Sequence, residues 1–140
     1  MNSEAQINEL NGSVKVRLAL SPIHGIGVFA IQDIFKGQLI NVFGSLTPKV
    51  YTVPYSSFSK LFPEVKALIL KGWPAVINGS HFISPVDTTW HVLYMNHSDE
   101  PNFDNKTGHA LKNIKAGDEI TEDYRTMLNW ETIHSFLLNK

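Results

Sequence analysis

Turn-forming residues interrupt this chain so often that it has no room for long elements. Ser21-Pro22, Gly25 and Gly27, Phe35-Lys36-Gly37-Gln38, Gly44, Pro48, Asn78-Gly79, Asp99 to Asn102, Lys106 to Gly108 and Lys115 to Asp118 leave only short runs between them. Several runs have strand character. Val14, Val16, Leu18 and Leu20 alternate with Lys15, Arg17 and Ala19, the period of a half-buried strand. Val28 to Ile31, Leu39 to Phe43 and Glu119 to Tyr124 also read as strands, and in the last Ile120, Glu122 and Tyr124 would share a face. Val76-Ile77 and Ser80 to Ile83 flank Asn78-Gly79, a hairpin signal. Two segments have helical spacing instead. Leu61, Val65, Leu68 and Ile69, with Pro63 in the first turn and Gly72 just past the end, predict a helix over 63–71. Trp130, Ile133 and Leu137 predict one face of a helix within 129–138. Residues 1–12 read as a frayed lead-in ending at Asn11-Gly12. The expected class is mainly β with short helices, without the strand–helix alternation of a parallel α/β sheet.

Composition narrows the function. At 140 residues the chain suits a single domain, 1–140, and its 43% hydrophobic content can fill a core. Twelve basic side chains against thirteen acidic ones give a net charge of −1, which argues against direct nucleic-acid binding. The absence of cysteine removes disulfides, cysteine zinc sites and thiol nucleophiles. Met1 to Leu10 shows no signal-peptide pattern, and no apolar run approaches the ~20 residues of a membrane span. The expectation is a soluble, intracellular protein, cytoplasmic or nuclear, of undetermined oligomeric state.

Three motifs can carry chemistry. Gly25-Ile26-Gly27 is a GxG without the following helix that a dinucleotide loop needs, so it is either a turn or a loop whose backbone approaches a ligand. Asn96-His97-Ser98-Asp99-Glu100-Pro101-Asn102 follows apolar Val92 to Met95. Taken alone, it reads as an Asx-type turn before it reads as a pocket wall. Gly117-Asp118-Glu119-Ile120-Thr121-Glu122-Asp123-Tyr124 is a turn leading into a strand that ends in tyrosine. The six histidines show no metal-ligand spacing, and no metal is expected.

In order and separation these pieces resemble the SET-domain protein lysine methyltransferases. Ser21 to Ala30 is similar to that family's cofactor loop, and Ile34 to Ile40 continues in register with it. Asn96-His97-Ser98 with Pro101-Asn102 resembles its most specific signature. Ala110 to Ile114, Ala116 to Ile120 and Asp123-Tyr124 resemble its closing segment. The likeness spans a core of 14–125, with a variable insert at about 45–90 and a channel-closing segment at 125–140.

The resemblance implies a β-clip of small sheets, a C-terminal pseudoknot and a C-terminal helix. It implies S-adenosylmethionine as cofactor and, on the opposite face, a channel for a lysine of a protein or peptide substrate, a histone tail among them. The backbone of His24, Gly25, Ile26 and Gly27 would hold the cofactor's methionine part. Asn96 and His97 would contact its amino group and adenine, and Tyr124 would be the catalytic residue. The sulfonium is already electrophilic, so the protein's task is alignment of a neutral amine, with tyrosine favouring the developing charge. A dry channel helps to deprotonate lysine, whose solution pKa is ~10.4.

Three features depart from the family pattern. With no cysteines after Tyr124, the tail must close the channel, and Trp130 would pack near the adenine or simply staple the last helix. Asn41-Val42 stands where an accessory channel tyrosine is common, leaving Tyr51, Tyr55 or Tyr94 as substitutes. Glu122 stands where Phe or Tyr is common; it would line the substrate channel, paired with Arg125, Lys112 or the substrate ammonium, unless a bulge turns it to solvent. The alternatives to an enzyme are a non-catalytic SET-like module that binds a protein or peptide, and an unrelated β-clip structural or carbohydrate-binding domain.

Overall fold

The alternation in 14–20 becomes β1 (Val16–Leu20), which pairs antiparallel with β2 (Ile26–Ala30) from Val16↔Ala30 to Leu20↔Ile26. The structure, a computed structural model, describes residues 3–40, 51–71, 75–77, 80–83, 91–126 and 130–139; of 68–71, 75–77, 80–83 and 92–93 only the backbone is described. The loop between β1 and β2 closes through a hydrogen bond from Ser21 N to Gly25 O at 2.8 Å, with Gly25 at φ 48°, a left-handed conformation that glycine takes without strain.

The chain then forms α1, β3 (Tyr51–Pro54), α2, β4 (Ala75–Ile77), β5 (Ser80–Ile83), β6 (Asn96–His97) and β7 (Glu119–Glu122), α1 (Ser3–Ser13) preceding β1 and α2 (Pro63–Lys71) following β3. One sheet has the order β1-β2-β7-β6, antiparallel except for the parallel β6–β7 pair, and the other has the order β3-β5-β4. Ile34 bridges Ile114, Leu39 bridges His109 and Phe103 bridges Ala110, so 34–40 and 103–114 clamp around the first sheet. Val16, Val28, Ile34, Met95, Phe103 and Ile120 belong to the core they enclose.

α2 has both ends where the sequence predicts them, and Val65 is buried on its inner side. The register Ile77↔Ser80 agrees with a two-residue hairpin loop; Asn78-Gly79 itself lies outside the described residues, as do Gly72, most of the 39–43 strand and Asn41-Val42.

The notion of a frayed lead-in over 1–12 fails for the described part, residues 3–12. α1 buries Gln6, Ile7, Leu10 and Asn11, and Ile7 and Leu10 join a second core with Tyr51, Val53, Phe58 and Val65. Its two buried amides replace missing backbone partners. Gln6 Nε2 donates to Thr52 O at 3.0 Å and Gln6 Oε1 accepts from Thr52 N at 2.8 Å. Asn11 Nδ2 donates to Lys60 O at 3.1 Å and its Oδ1 accepts from Phe62 N at 2.8 Å. The C-terminal helix is shorter than the spacing predicts. α3 covers Trp130–Ile133 and a 3₁₀ segment continues over Ser135–Asn139. Of the three residues placed on one face, Leu137 is buried, while Ile133 is 67% exposed. Among the described residues no helix is long and apolar enough to cross a membrane.

Asn11→Ala strips one donor and one acceptor from backbone groups at the entry to α2. A loss of about 1–3 kcal/mol in unfolding free energy is expected, measured by urea denaturation. An unchanged midpoint would show that α1 is not anchored through this amide.

Candidate functional site

Strand pleating sets the site. β6 and β7 pair in the register Asn96↔Thr121 and His97↔Glu122, so alternate residues turn to opposite faces. On one face Asn96 meets Glu119 and the loop after β1. Asn96 Nδ2 donates within 2.9 Å of Glu119 Oε2, 3.1 Å of Ser21 Oγ, 3.1 Å of His24 O and 3.4 Å of Ile26 O. Ser21 Oγ in turn donates to the Glu119 carboxylate, 2.7 and 2.9 Å from its oxygens, and accepts from Ile23 N at 2.9 Å. The concentration of acceptors around Nδ2 sets the orientation of the amide, and Oδ1 carries no hydrogen bond among the described residues.

Gly27 is required by this network. A Cβ there would lie 2.4 Å from Glu119 Oε2 and 3.1 Å from Ser21 Cβ. The GxG therefore combines a turn glycine, Gly25, with a close-approach glycine, Gly27. Ile26 and His24 are exposed, and both contribute carbonyls to Asn96.

On the other face His97 Nδ1 accepts from Tyr124 N at 3.0 Å and its Nε2 lies 2.8 Å from Asp99 Oδ1. An Nδ1 that accepts an amide proton leaves a ring proton on Nε2, which donates to Asp99. Arg125 grips Asp123 with two bonds, 2.9 and 3.0 Å, and reaches Asp99 at 3.5 Å. The guanidinium beside Asp123 holds that carboxyl below its usual range.

Tyr124 is not on the strand. β7 ends at Glu122 and Tyr124 opens a 3₁₀ turn, Tyr124–Thr126, because the Asp123 carboxylate captures Arg125 N at 2.9 Å and breaks the extended run. The turn aims the phenol at the residue just before β6, where its hydroxyl donates to Met95 O at 2.7 Å. Burial first, then the charges of Glu122 and Glu119, push the phenol's pKa above its usual value.

A cavity of about 660 Å³ opens between these parts. The first loop contributes Ile23 and His24, β6 contributes Asn96 and His97, the turn contributes Tyr124 and the tail contributes His134 and Phe136. The His134 ring lies 4.3 Å from that of Tyr124 at 32°, and Phe136 meets His134 edge-on at 6.1 Å. The structure thus brings His24, Asn96, His97 and Tyr124 together. Trp130 and Tyr94 are not among the residues lining this cavity; Tyr94 is 40% exposed on a 3₁₀ segment, His91–Tyr94. The tail acts through His134 and Phe136, which sequence reasoning passed over, as it did the Ser21–Glu119 contact. The signal for Ser21 was its place before Pro22 at the mouth of the glycine loop.

Glu122 is 1% exposed, so no bulge turns it to solvent. Neither expected cation reaches it, since Arg125 binds Asp123 and Lys112 Nζ donates to Glu100 O at 3.4 Å. Among the described residues its Oε2 has no hydrogen-bond partner, and burial lifts the carboxyl to about 7. Among the described residues no group of three His, Cys, Asp or Glu is arranged to hold a metal ion.

Residues 25–125 match the SET domain family. No curated protein gives a match. Among solved structures, a candidate histone methyltransferase of Plasmodium falciparum is 21% identical, covering 79% of this chain and 92% of its own, with a TM-score of 0.39. An apo Polycomb Repressive Complex 2 of Chaetomium thermophilum with two substitutions is 19% identical over 85% of this chain, with a TM-score of 0.43. A humanized, inhibitor-bound form of that complex is 19% identical over 79% of this chain, with a TM-score of 0.37. This chain spans 16% and 14% of those two chains. Likenesses this distant add nothing to the family match.

The Glu122 carboxyl generates a pH prediction. Its folded pKa of about 7 lies above the ordinary 4.5, so between those values the native chain keeps a proton that the unfolded chain releases. Its contribution to stability is present in full below the lower value and is lost as pH rises through the upper one. Glu122→Gln removes that loss. Relative to the native chain, the variant should gain on the order of 2–3 kcal/mol between about pH 5 and pH 8. Chemical denaturation of both proteins at the two pH values measures it. A constant offset would assign the titration to another group.

Proposed function

Since this chain belongs to the SET-domain family, whose members are typically protein-lysine methyltransferases using S-adenosylmethionine, we propose that it transfers a methyl group from that cofactor to a lysine amine of a protein substrate. The observation that carries the reading is the Asn96 amide. With its nitrogen saturated by Ser21, Glu119 and two loop carbonyls, its oxygen is left to the cavity as an acceptor for an amino group. About 660 Å³ is room for a ligand of the cofactor's size.

In this reading the His24–Gly27 backbone and Asn96 hold the amino acid end of the cofactor, and His97, His134 and Phe136 enclose the rest. When bound, the cofactor supplies a methyl group already activated on a sulfonium. The chain's own work is alignment and dehydration. Tyr124, its hydroxyl pinned to Met95 O and its ring held between His97 and His134, is the positioned group at the point of transfer. Glu122 belongs to the lysine channel on the inner side. The whole chain acts as one SET unit, with residues 125–140 closing the site in place of a metal-bound segment. The parallel β6–β7 pair supports a closing segment threaded beside the Asn96-His97 strand as a pseudoknot, and Phe103 N donating to Thr121 O at 3.0 Å agrees with it. A histone tail is one acceptor to try first.

Two variants test this. Tyr124→Phe keeps the ring contacts and removes the hydroxyl; turnover, followed with labelled cofactor and mass spectrometry of protein acceptors, should fall by ~10²-fold or more with cofactor affinity near normal. Full turnover in the folded variant would remove Tyr124 from the chemistry. Asn96→Ala should weaken cofactor binding in calorimetry by at least ~10-fold, the equivalent of one lost charge-assisted hydrogen bond. A native chain with no cofactor affinity at all would point instead to a non-catalytic module.

A further inference from the structure

Glu122 is a buried acid that nothing above requires. Among the described residues its Oε2 lacks a partner and no cation sits against it. In register it stands opposite His97, and paired residues on adjacent strands present their side chains to the same face. Tyr124 approaches that face, its ring 5.3 Å from His97 and its phenol within the field of the Glu122 carboxylate. The titratable groups around Glu122 are therefore Tyr124 from the 3₁₀ turn, His97 from β6, whose two ring nitrogens are taken by Tyr124 N and Asp99, and on its own strand Glu119, which turns to the opposite face. None of them donates to its Oε2. An ionised carboxylate with one oxygen buried and unpaired is costly to keep, and an arriving cation would relieve that cost.

We propose that Glu122 is the proton acceptor for the substrate amine, taking the ammonium proton at Oε2 beside Tyr124. The inference rests on the methyltransferase reading for the identity of the amine, a lysine side chain, and adds the route of its proton. The ammonium N–H bond breaks, the proton passes to Glu122, and the electron pair stays on nitrogen, which becomes the neutral nucleophile. In a dry site an amine beside a carboxylic acid is favoured over two poorly solvated charges. Burial has already brought the carboxyl to about 7, closing part of the gap to the amine. The proton leaves for solvent once product has gone. A quaternary ammonium has no N–H to give and cannot complete the exchange.

The test needs no methyl donor and no identified protein substrate. The full chain is labelled with [δ-13C]glutamate, and the Glu122 signal is assigned by its loss in Glu122→Gln, or in Glu122→Asp if the first variant fails to fold. At neutral pH, n-butylamine, a lysine side-chain mimic, should move that signal saturably to the protonated position, while n-butyltrimethylammonium should not. A signal that ignores butylamine, or answers both compounds equally, overturns the proposal. Cofactor calorimetry is a separate experiment, so failure of the methyltransferase reading and failure of this one are distinguishable.

Discussion

The site depends on one side-chain amide. Asn96 lies 70 or more residues from the loop carbonyls it holds and 23 from Glu119, yet its nitrogen reaches all of them. That contact ties the Ser21–Gly27 loop to β6, while Ser21 Oγ ties it to Glu119 on β7. The geometry also works backwards on the sequence. Because the Glu119 carboxylate fills the space beneath the loop, position 27 has no room for a side chain. The glycine, the asparagine, the serine and the glutamate are one constraint expressed at four places.

Local chemistry was legible in the sequence, and long-range side-chain chemistry was not. The helix over 63–71 could be read because proline, apolar spacing and the flanking residues all agree. β1 could be read from its alternation. α1 could not, because half of its buried face is polar. Gln6 and Asn11 look solvated in a string of letters, and only β3 and the entry to α2 reveal what they bind. The same limit hid Ser21 and Glu119. The motif residues His24, Asn96, His97 and Tyr124 do converge on one cavity, but their convergence follows from sheet order, which no period encodes.

Tyr124 shows how a residue can be named correctly and placed incorrectly. Period two would put it on the face of Ile120 and Glu122. The Asp123 side chain instead captures Arg125 N and starts a turn. That break sends the phenol back to Met95 and leaves its backbone N–H to His97, where a continued strand would have spent that donor differently. The tautomer of His97 and the direction of the tyrosine are thus set by the same aspartate.

β7 carries two carboxylates three residues apart, and pleating gives them opposite environments. Glu119 faces the loop, where Ser21 and Asn96 surround it with donors. Glu122 faces inward, where its Oε2 finds none among the described residues. Here the donor-rich partner does structural work, holding a glycine loop in shape. The donor-poor partner costs stability whenever it ionises, a cost the adjoining apolar core must offset, since Ile120 beside it is fully buried. A fold that needed only to be stable would place an apolar side chain there, as it does at Ile120. Burial instead keeps the Glu122 carboxyl protonated to about pH 7, so the inner face carries an acid that titrates near neutrality while its strand-mate Glu119 is tied to the loop.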